Sequence, residues 1–318
     1  MTALSPHFAS VRAAFSSLID YAGLFPPAKL DMDAALAEYE KSRRGAFAWM
    51  LGRFIVPAGR LEELLASPQL VAEPPLAASV IVDAGSDPRA WFGNAQALLA
   101  RIAALRSSEK RIAIETLEAP LPALATRRET HDASIGQFAM LVQAAGLRDV
   151  PAFLELPAKT EGELLGGAMF ALARHGLRAK VRCGGVTADN VPSPQALAEF
   201  IRAAAAETVP FKATAGLHHP LRHHNEAAGF TMHGFLNVLA AAVFAISGAD
   251  DDAVCAALSL EDAGAFTFDA DGMQCAGRRV TTEQIQRARR EAFIGYGSCS
   301  FDEPVDDLIG LRMLERPQ

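Results

Sequence analysis

No C-x-x-C pair, no surplus of basic residues and no apolar run long enough to cross a bilayer occurs in this chain of 318 residues. The four cysteines, Cys183, Cys255, Cys275 and Cys299, lie far apart and form no paired pattern, so a reduced, cytoplasmic protein is expected. Acidic residues outnumber basic ones, 37 to 30, for a formal charge of −7. That argues against a general nucleic-acid binder, which would carry a basic face. It suits a soluble protein that handles a small molecule. A bilayer needs about 20 consecutive apolar residues. The nearest approach, Phe235 to Ile246, is short and alanine-rich and reads as a buried helix, so no membrane partner is expected. The opening MTALSPHFASVRAAFSSLIDYAG lacks a basic leader, a long apolar core and a cleavage site, and does not read as a secretory signal.

Half of the residues are hydrophobic, enough for a large core. The length allows two domains, but a β/α barrel commonly uses about 250 residues as one. Short apolar runs recur at Leu18–Tyr21, Arg53–Val56, Ala78–Asp83, Arg111–Thr116, Ala152–Leu156, Ala179–Cys183 and Phe211–Ala215. Amphipathic stretches alternate with them, such as Asp31–Arg43, Asp87–Leu105, Glu161–His175 and Pro194–Ala206. Asp87-Pro88 and Ser193-Pro194 each place a capping side chain before a proline at the first helical position. Strand then helix, repeated, is the pattern of a parallel sheet covered by helices. The expectation is one (β/α)8 TIM barrel over 1–318, with a helical and hairpin insertion at 217–290 between strands seven and eight. An open doubly wound sheet is the alternative, but no G-x-G-x-x-G follows the first strand. Glu118–Arg128 reads as a proline-containing loop after strand four. Strand eight has two candidates: Ala265–Phe268, in a hairpin around Asp269–Gly272, and Phe293–Ser298, which is favoured. After the second, Ser300 and Glu303 fit a capping box with Pro304 in the first turn.

Charged residues end these strands. Leu18-Ile19 runs into Asp20, Val80-Ile81-Val82 into Asp83, Ile112-Ala113-Ile114 into Glu115 and Phe153-Leu154 into Glu155. Lys180 and Arg182 alternate along strand six and share a face, and Lys212 follows Phe211 in strand seven. Buried charges are costly unless paired or wetted, and the C-terminal strand ends are where barrel enzymes keep their active sites. Convergence of Glu115, Glu155, Arg182 and Lys212 on one pocket is expected, with a structural ion-pair network as the competing explanation for any single residue. Lys212 is expected to face the barrel interior, since Phe211 takes the other side.

Five of the eight histidines, His218, His219, His223, His224 and His233, lie between strand seven and the HGFLNVLAAAVFA helix. They read as metal ligands or acid–base groups, or as a polar loop; there is no H-E-x-x-H, and His218 and His219 sit nearest a strand end. Gly297-Ser298-Cys299-Ser300 precedes a helix whose amides face an anion or serve a plain turn. Cys183 and Cys299 are nucleophiles near the mouth or inert core residues.

The segment from Phe153 to Gly216 resembles the second half of the class I aldolase barrels, especially the deoxyribose-phosphate aldolase family. The likeness rests on FLELPAKTEGEL, AKVRCGGV and PFKATAGLHHP, about a fifth of the chain. It implies that Lys212 stands for that family's second active-site lysine and Gly216 for its glycine turn, and that Ser298 and Ser300 correspond to its phosphate loop. Aligned through Gly184-Gly185, Val181 takes the place of the Schiff-base lysine and Lys180 falls one residue before it.

Three functions follow as expectations. The first is lyase or aldolase-type carbonyl chemistry on a small oxygenated or phosphorylated metabolite, through an imine at Lys212 or Lys180, with Glu155 or Glu115 moving protons, Arg182 close by, and Asp20, Asp83, Gly216, Gly297, Ser298 and Ser300 around the substrate; it requires no cofactor. The second is a lyase, isomerase or hydrolase whose divalent metal is held by Glu115, Glu155, His218 and His219. The third is a barrel that binds a metabolite without turning it over. A homodimer is the expectation for a soluble oligomer.

Overall fold

The computed structural model describes residues 8–122, 128–157, 160–185 and 187–316. Residues 123–127 of the loop expected after strand four, residues 158–159 of the FLELPAKTEGEL segment and residue 186 of AKVRCGGV lie outside them.

Eight parallel strands close into a barrel: β1 (Ile19–Tyr21), β2 (Leu51–Pro57), β3 (Leu76–Ile81), β4 (Ile112–Pro120), β5 (Ala152–Glu155), β6 (Arg178–Arg182), β7 (Phe211–Thr214) and β8 (Phe293–Ser298). Each strand pairs with its sequence neighbour, and β8 closes on β1 through Ile19 beside Tyr296 and Asp20 beside Gly297. The fold is therefore the (β/α)8 TIM barrel. Phe293–Ser298 is its eighth strand; Phe266–Phe268 instead belongs to a separate antiparallel sheet with Gly272–Cys275 and Arg278–Thr281.

Alternation along each strand sends apolar side chains outward against the helices. Tyr21 and Phe54 pack with Tyr39 of the Met32–Arg43 helix. Phe211 lies between Phe200 of the Pro194–Ala206 helix and Phe293 of β8. Tyr296 stacks on Phe235 of the Phe235–Ile246 helix, which is buried along most of its length. Each fully buried aromatic of this layer contributes about 1.5–3 kcal/mol. The helix caps agree with the sequence at Asp87 and Ser193, and Asp31 caps its helix as well; all three side chains accept from backbone amides of the first turns. At the last helix, Asp302–Gly310, the Glu303 amide donates to Ser300 Oγ at 3.1 Å. The complete capping box lies elsewhere, at Thr281 and Gln284.

Between β7 and β8 the chain forms a short hairpin, His223–Asn225 with Phe230–Met232, then the Phe235–Ile246 and Asp251–Ser259 helices, the three-stranded sheet and the Thr282–Glu291 helix. The turns after β6 and β7 meet backbone to backbone. A Cβ on Gly184 would stand 2.8 Å from Gly216 Cα, and Gly216 holds a left-handed φ of 71°, so both positions require glycine.

β4 departs most from its expected form. It extends four residues past Thr116, and the segment from Glu118 to Pro120, expected as loop, is strand. Its pairing with β3 steps from Ile114 opposite Ala78 to Thr116 opposite Ser79, so Glu115 is the extra residue of a bulge. The bulge reverses the alternation: Ile112 and Ile114 pack outward, whereas Thr116 and Glu118 turn inward.

Candidate active site

The inward faces of β1, β4, β5, β6 and β7 carry one continuous chain of alternating charges. Lys212 on β7 reaches Asp20 Oδ2 on β1 at 2.5 Å and Oε1 of Glu118 on β4. Lys180 on β6 reaches the other oxygen of the same carboxylate, Oε2, at 2.8 Å and Glu155 Oε2 on β5 at 3.3 Å. Arg182 closes the chain on Glu155 Oε1 at 2.9 Å. At the other end the Arg53 amide donates to Asp20 Oδ1 at 2.7 Å, an approach that depends on Gly52, because a Cβ there would fall 2.2 Å from that oxygen. Ser79 completes the carboxylate's shell: its hydroxyl donates to Glu118 Oε1 at 2.6 Å and accepts from Thr116 Oγ1 at 2.6 Å.

Exposure grades along this chain. The side chains of Lys212 and Glu118 are 1% exposed, Lys180 8%, Glu155 14% and Arg182 50%. The interior therefore opens toward Glu155 and Arg182, and Lys180 is the lysine nearer the opening. Lys180 and Lys212 are register partners across β6 and β7, so both point inward, while Val181 pairs with Ala213 on the outer face. Lys180, one residue off in the aldolase alignment, is thus the inward lysine of β6.

Burial opposes charge on Glu118, but the two ammoniums outweigh it and hold its carboxyl well below the usual carboxylate range. Burial likewise works against the Lys180 ammonium, and Glu118 and Glu155 outweigh it in turn, so its pKa is raised above the ordinary lysine value. At rest the interior is a paired ionic lattice with Lys180 protonated.

Among the sequence candidates, Asp20, Glu155, Lys180, Arg182 and Lys212 come together here. Gly297 faces the same interior, where a Cβ would stand 3.0 Å from Ile55 Cδ1. Asp83 does not join them, and Glu115 meets the cluster only through Arg53. Asp83 lies two residues beyond the end of β3 and is exposed, its Oδ1 accepting from the Gly85 amide at 3.4 Å. Glu115, displaced by the bulge, is 45% exposed and pairs with Arg53 Nε at 3.0 Å. Ser298 alternates outward from Gly297, and its hydroxyl accepts from the Ser300 amide at 3.4 Å. Ser300 is engaged by Glu303. Both serines therefore serve the turn into the last helix. Glu118 is the member of this cluster that sequence reasoning misses, because its segment reads as a loop.

His218 and His219 are tied to that last helix. His218 Nδ1 lies 3.3 Å from Glu303 Oε2 and 3.8 Å from Cys299 Sγ, and His219 Nδ1 lies 2.6 Å from Asp307 Oδ2. His223 packs edge-on to His219, and His233 is buried with Nε2 donating to the Pro192 carbonyl at 2.7 Å. Burial lowers His218, and it lowers His233 to about 4. Glu155 pairs with Lys180 and Arg182, Glu115 with Arg53, and the two histidines with Glu303 and Asp307, so the four expected metal ligands fall into three separate sets of partners. Among the described residues no group of three His, Cys, Asp or Glu side chains is arranged to hold a metal ion. Burial pushes the Cys183 thiol up to about 12 and raises Cys299 as well, so neither is primed as a thiolate nucleophile. No helix among the described residues is long and apolar enough to cross a membrane.

Set beside known proteins, the chain matches no protein-family model and no curated protein.

Proposed function

We propose that this barrel is a lysine-dependent carbonyl enzyme of the lyase or aldolase type, acting on a small oxygenated or phosphorylated metabolite, with Lys180 as the imine-forming residue. The observation that carries this reading is the sharing of one buried carboxylate, Glu118, by two lysines, of which Lys180 alone also meets a partly open acid, Glu155. The resemblance to class I aldolases over β5 to β7 points the same way.

The chemistry follows from these contacts. A lysine attacks a carbonyl only as the free amine. A substrate carbonyl entering past Arg182 and Glu155 displaces water from the mouth and loosens the Lys180–Glu155 contact. Lys180 then passes one proton to Glu155, and its nitrogen lone pair forms the bond to the carbonyl carbon while the carbonyl oxygen takes up a second proton, the one this nitrogen sheds on forming the bond. Glu155 returns its proton to the resulting hydroxyl, which leaves as water, and a protonated imine remains. That cation withdraws electrons from the adjacent carbon–carbon bond, and Glu155 is within reach to accept the proton of a substrate hydroxyl as the bond breaks. Lys212, seated between Asp20 and Glu118, fixes the Glu118 carboxylate in place and adds a positive field beside Lys180, which favours release of the Lys180 proton. Arg182 offers a guanidinium to a phosphate or carboxylate at the mouth.

The test is a screen for retro-aldol cleavage. Small β-hydroxy carbonyl compounds, with and without a phosphate group, are incubated with the protein and the released aldehyde is measured. At least one class should be cleaved by the native chain and not by Lys180→Met. Cleavage that survives Lys180→Met and Lys212→Met together would refute the reading.

A further inference from the structure

One cation of the barrel interior is left over. Arg53, Lys180, Arg182 and Lys212 each meet a carboxylate, but Arg178, two residues before Lys180 on the same inward face, has no carboxylate partner among the described residues. Its guanidinium lies over the Phe153 ring, 5.4 Å from the centroid. Burial first, and then repulsion from Arg53, lower its pKa below the ordinary arginine value. A third guanidinium approaches the same end of the barrel. Arg289, at the C-terminal end of the Thr282–Glu291 helix, donates to the Phe293 carbonyl and to the Ser16 carbonyl at 3.1 Å. It too has no carboxylate partner, and its buried Nε–H has no acceptor among the described residues. Burial, with Arg53 adding to it and Asp20 opposing, brings it to about 10.

Three arginines thus gather at the N-terminal floor of the barrel. Two carboxylates answer them: Asp20, already engaged by Lys212, and Glu115, which is half exposed. Guanidinium forks match the oxygens of phosphate and carboxylate in pairs. Arg53 is 22% exposed, so the floor is open to solvent.

We infer that the floor of the barrel binds a small oxyanion of phosphate size, gripped by Arg178 and Arg53 above Arg289, at the end opposite the Lys180 mouth. The site does not depend on the carbonyl chemistry. It does touch the same network, because the Phe153 ring under Arg178 also meets Lys212 Nζ at 5.5 Å and because Arg53 shares Asp20 with Lys212.

Calorimetric titration of the full chain tests this, with inorganic phosphate, sulfate and acetate as probes at fixed ionic strength. Saturable binding of phosphate to one site is expected. Arg178→Met should weaken it at least about tenfold, the loss expected on removing one charge-assisted pair of hydrogen bonds. Arg101→Gln, on the outer Pro88–Ser108 helix, should leave it unchanged. Acetate binding more tightly than phosphate would assign the floor to carboxylates and overturn the phosphate-sized assignment. Absence of saturable binding in the native chain, unchanged affinity in Arg178→Met, or loss in Arg101→Gln would overturn the site itself. Should Arg178→Met not fold, Arg178→Gln, which retains a polar side chain without the charge, is held to the same outcomes.

Discussion

Lys180 and Lys212 are register partners on neighbouring strands and hold opposite oxygens of a single carboxylate, Glu118. Each ammonium therefore senses the other through a shared counterion, and a change at either must redistribute charge over the whole interior.

Removal of that counterion should be severe. Glu118→Ala leaves two buried ammoniums facing a void, and breaking a buried pair in this way costs about 3–5 kcal/mol. Replacing Lys212 by Met in the same chain should recover part of the loss, since one stranded cation goes with it. Urea unfolding of the single and double variants measures both numbers; additive losses would show that the two residues are not coupled.

The network also fixes how stability depends on pH. Glu118 is depressed below its ordinary 4.5, so its contribution is present above that pH and lost as pH falls through the lower folded value. Lys180 is raised above 10.5, so its contribution is present below that pH and lost as pH climbs through the higher folded value. Glu118→Gln removes the first titration and one of the two acids behind the second. Its unfolding midpoint should vary less with pH than that of the native chain at both extremes. Parallel curves for the two proteins would count against the pairing.

Glu115 provides the contrast. It is half exposed on a bulge and bonded to a partly exposed arginine, a kind of pair worth about 0–1 kcal/mol. Glu115→Gln should unfold within about 1 kcal/mol of the native chain and cleave the same substrates at the same rate. A loss of activity comparable to that of a Glu155 variant would place Glu115 back in the site.

The two glycine turns at the mouth are geometric requirements. Gly216→Ala forces a side chain into a left-handed conformation and against Gly184, at a cost of about 1–3 kcal/mol. The expected signature is a lower thermal midpoint together with weakened substrate binding, because the turns after β6 and β7 move apart. An unchanged midpoint would show that the backbone there yields freely.

Most of the barrel is legible in the strand–helix alternation, because strands buried on both faces carry short apolar runs that stand out between amphipathic stretches. Lys212 is legible for the same reason: Phe211 commits one face of β7 to the helix layer and leaves the lysine the other. The acids were harder. Alternation counted from Ile112 sends Glu118 outward, and the prolines at 120 and 122 suggest a loop. Only the bulge at Glu115, which no residue type announces, turns Glu118 in above Lys212 and leaves Glu115 lower and half exposed beside Arg53. A hint was available in Thr116-Leu117-Glu118-Ala119, whose polar and apolar residues alternate as a strand's do. The serines after β8 and the two mouth histidines are engaged locally for a simpler reason: polar residues beside a helix start are as readily consumed by capping and by that helix's own carboxylates as by a ligand.

The most direct measurement is borohydride trapping followed by peptide mapping. The protein is incubated with small aldehydes and keto acids, reduced, digested and analysed by mass. The proposed mechanism predicts a covalent adduct on the Lys180 peptide of the native chain, at a rate that rises with pH because Lys180 must first lose its proton. Lys180→Met should carry no adduct, and Lys212→Met should be modified at Lys180 alone. An adduct on Lys212 with Lys180 untouched, or none at either lysine under a large excess of every carbonyl tried, would contradict an imine at Lys180.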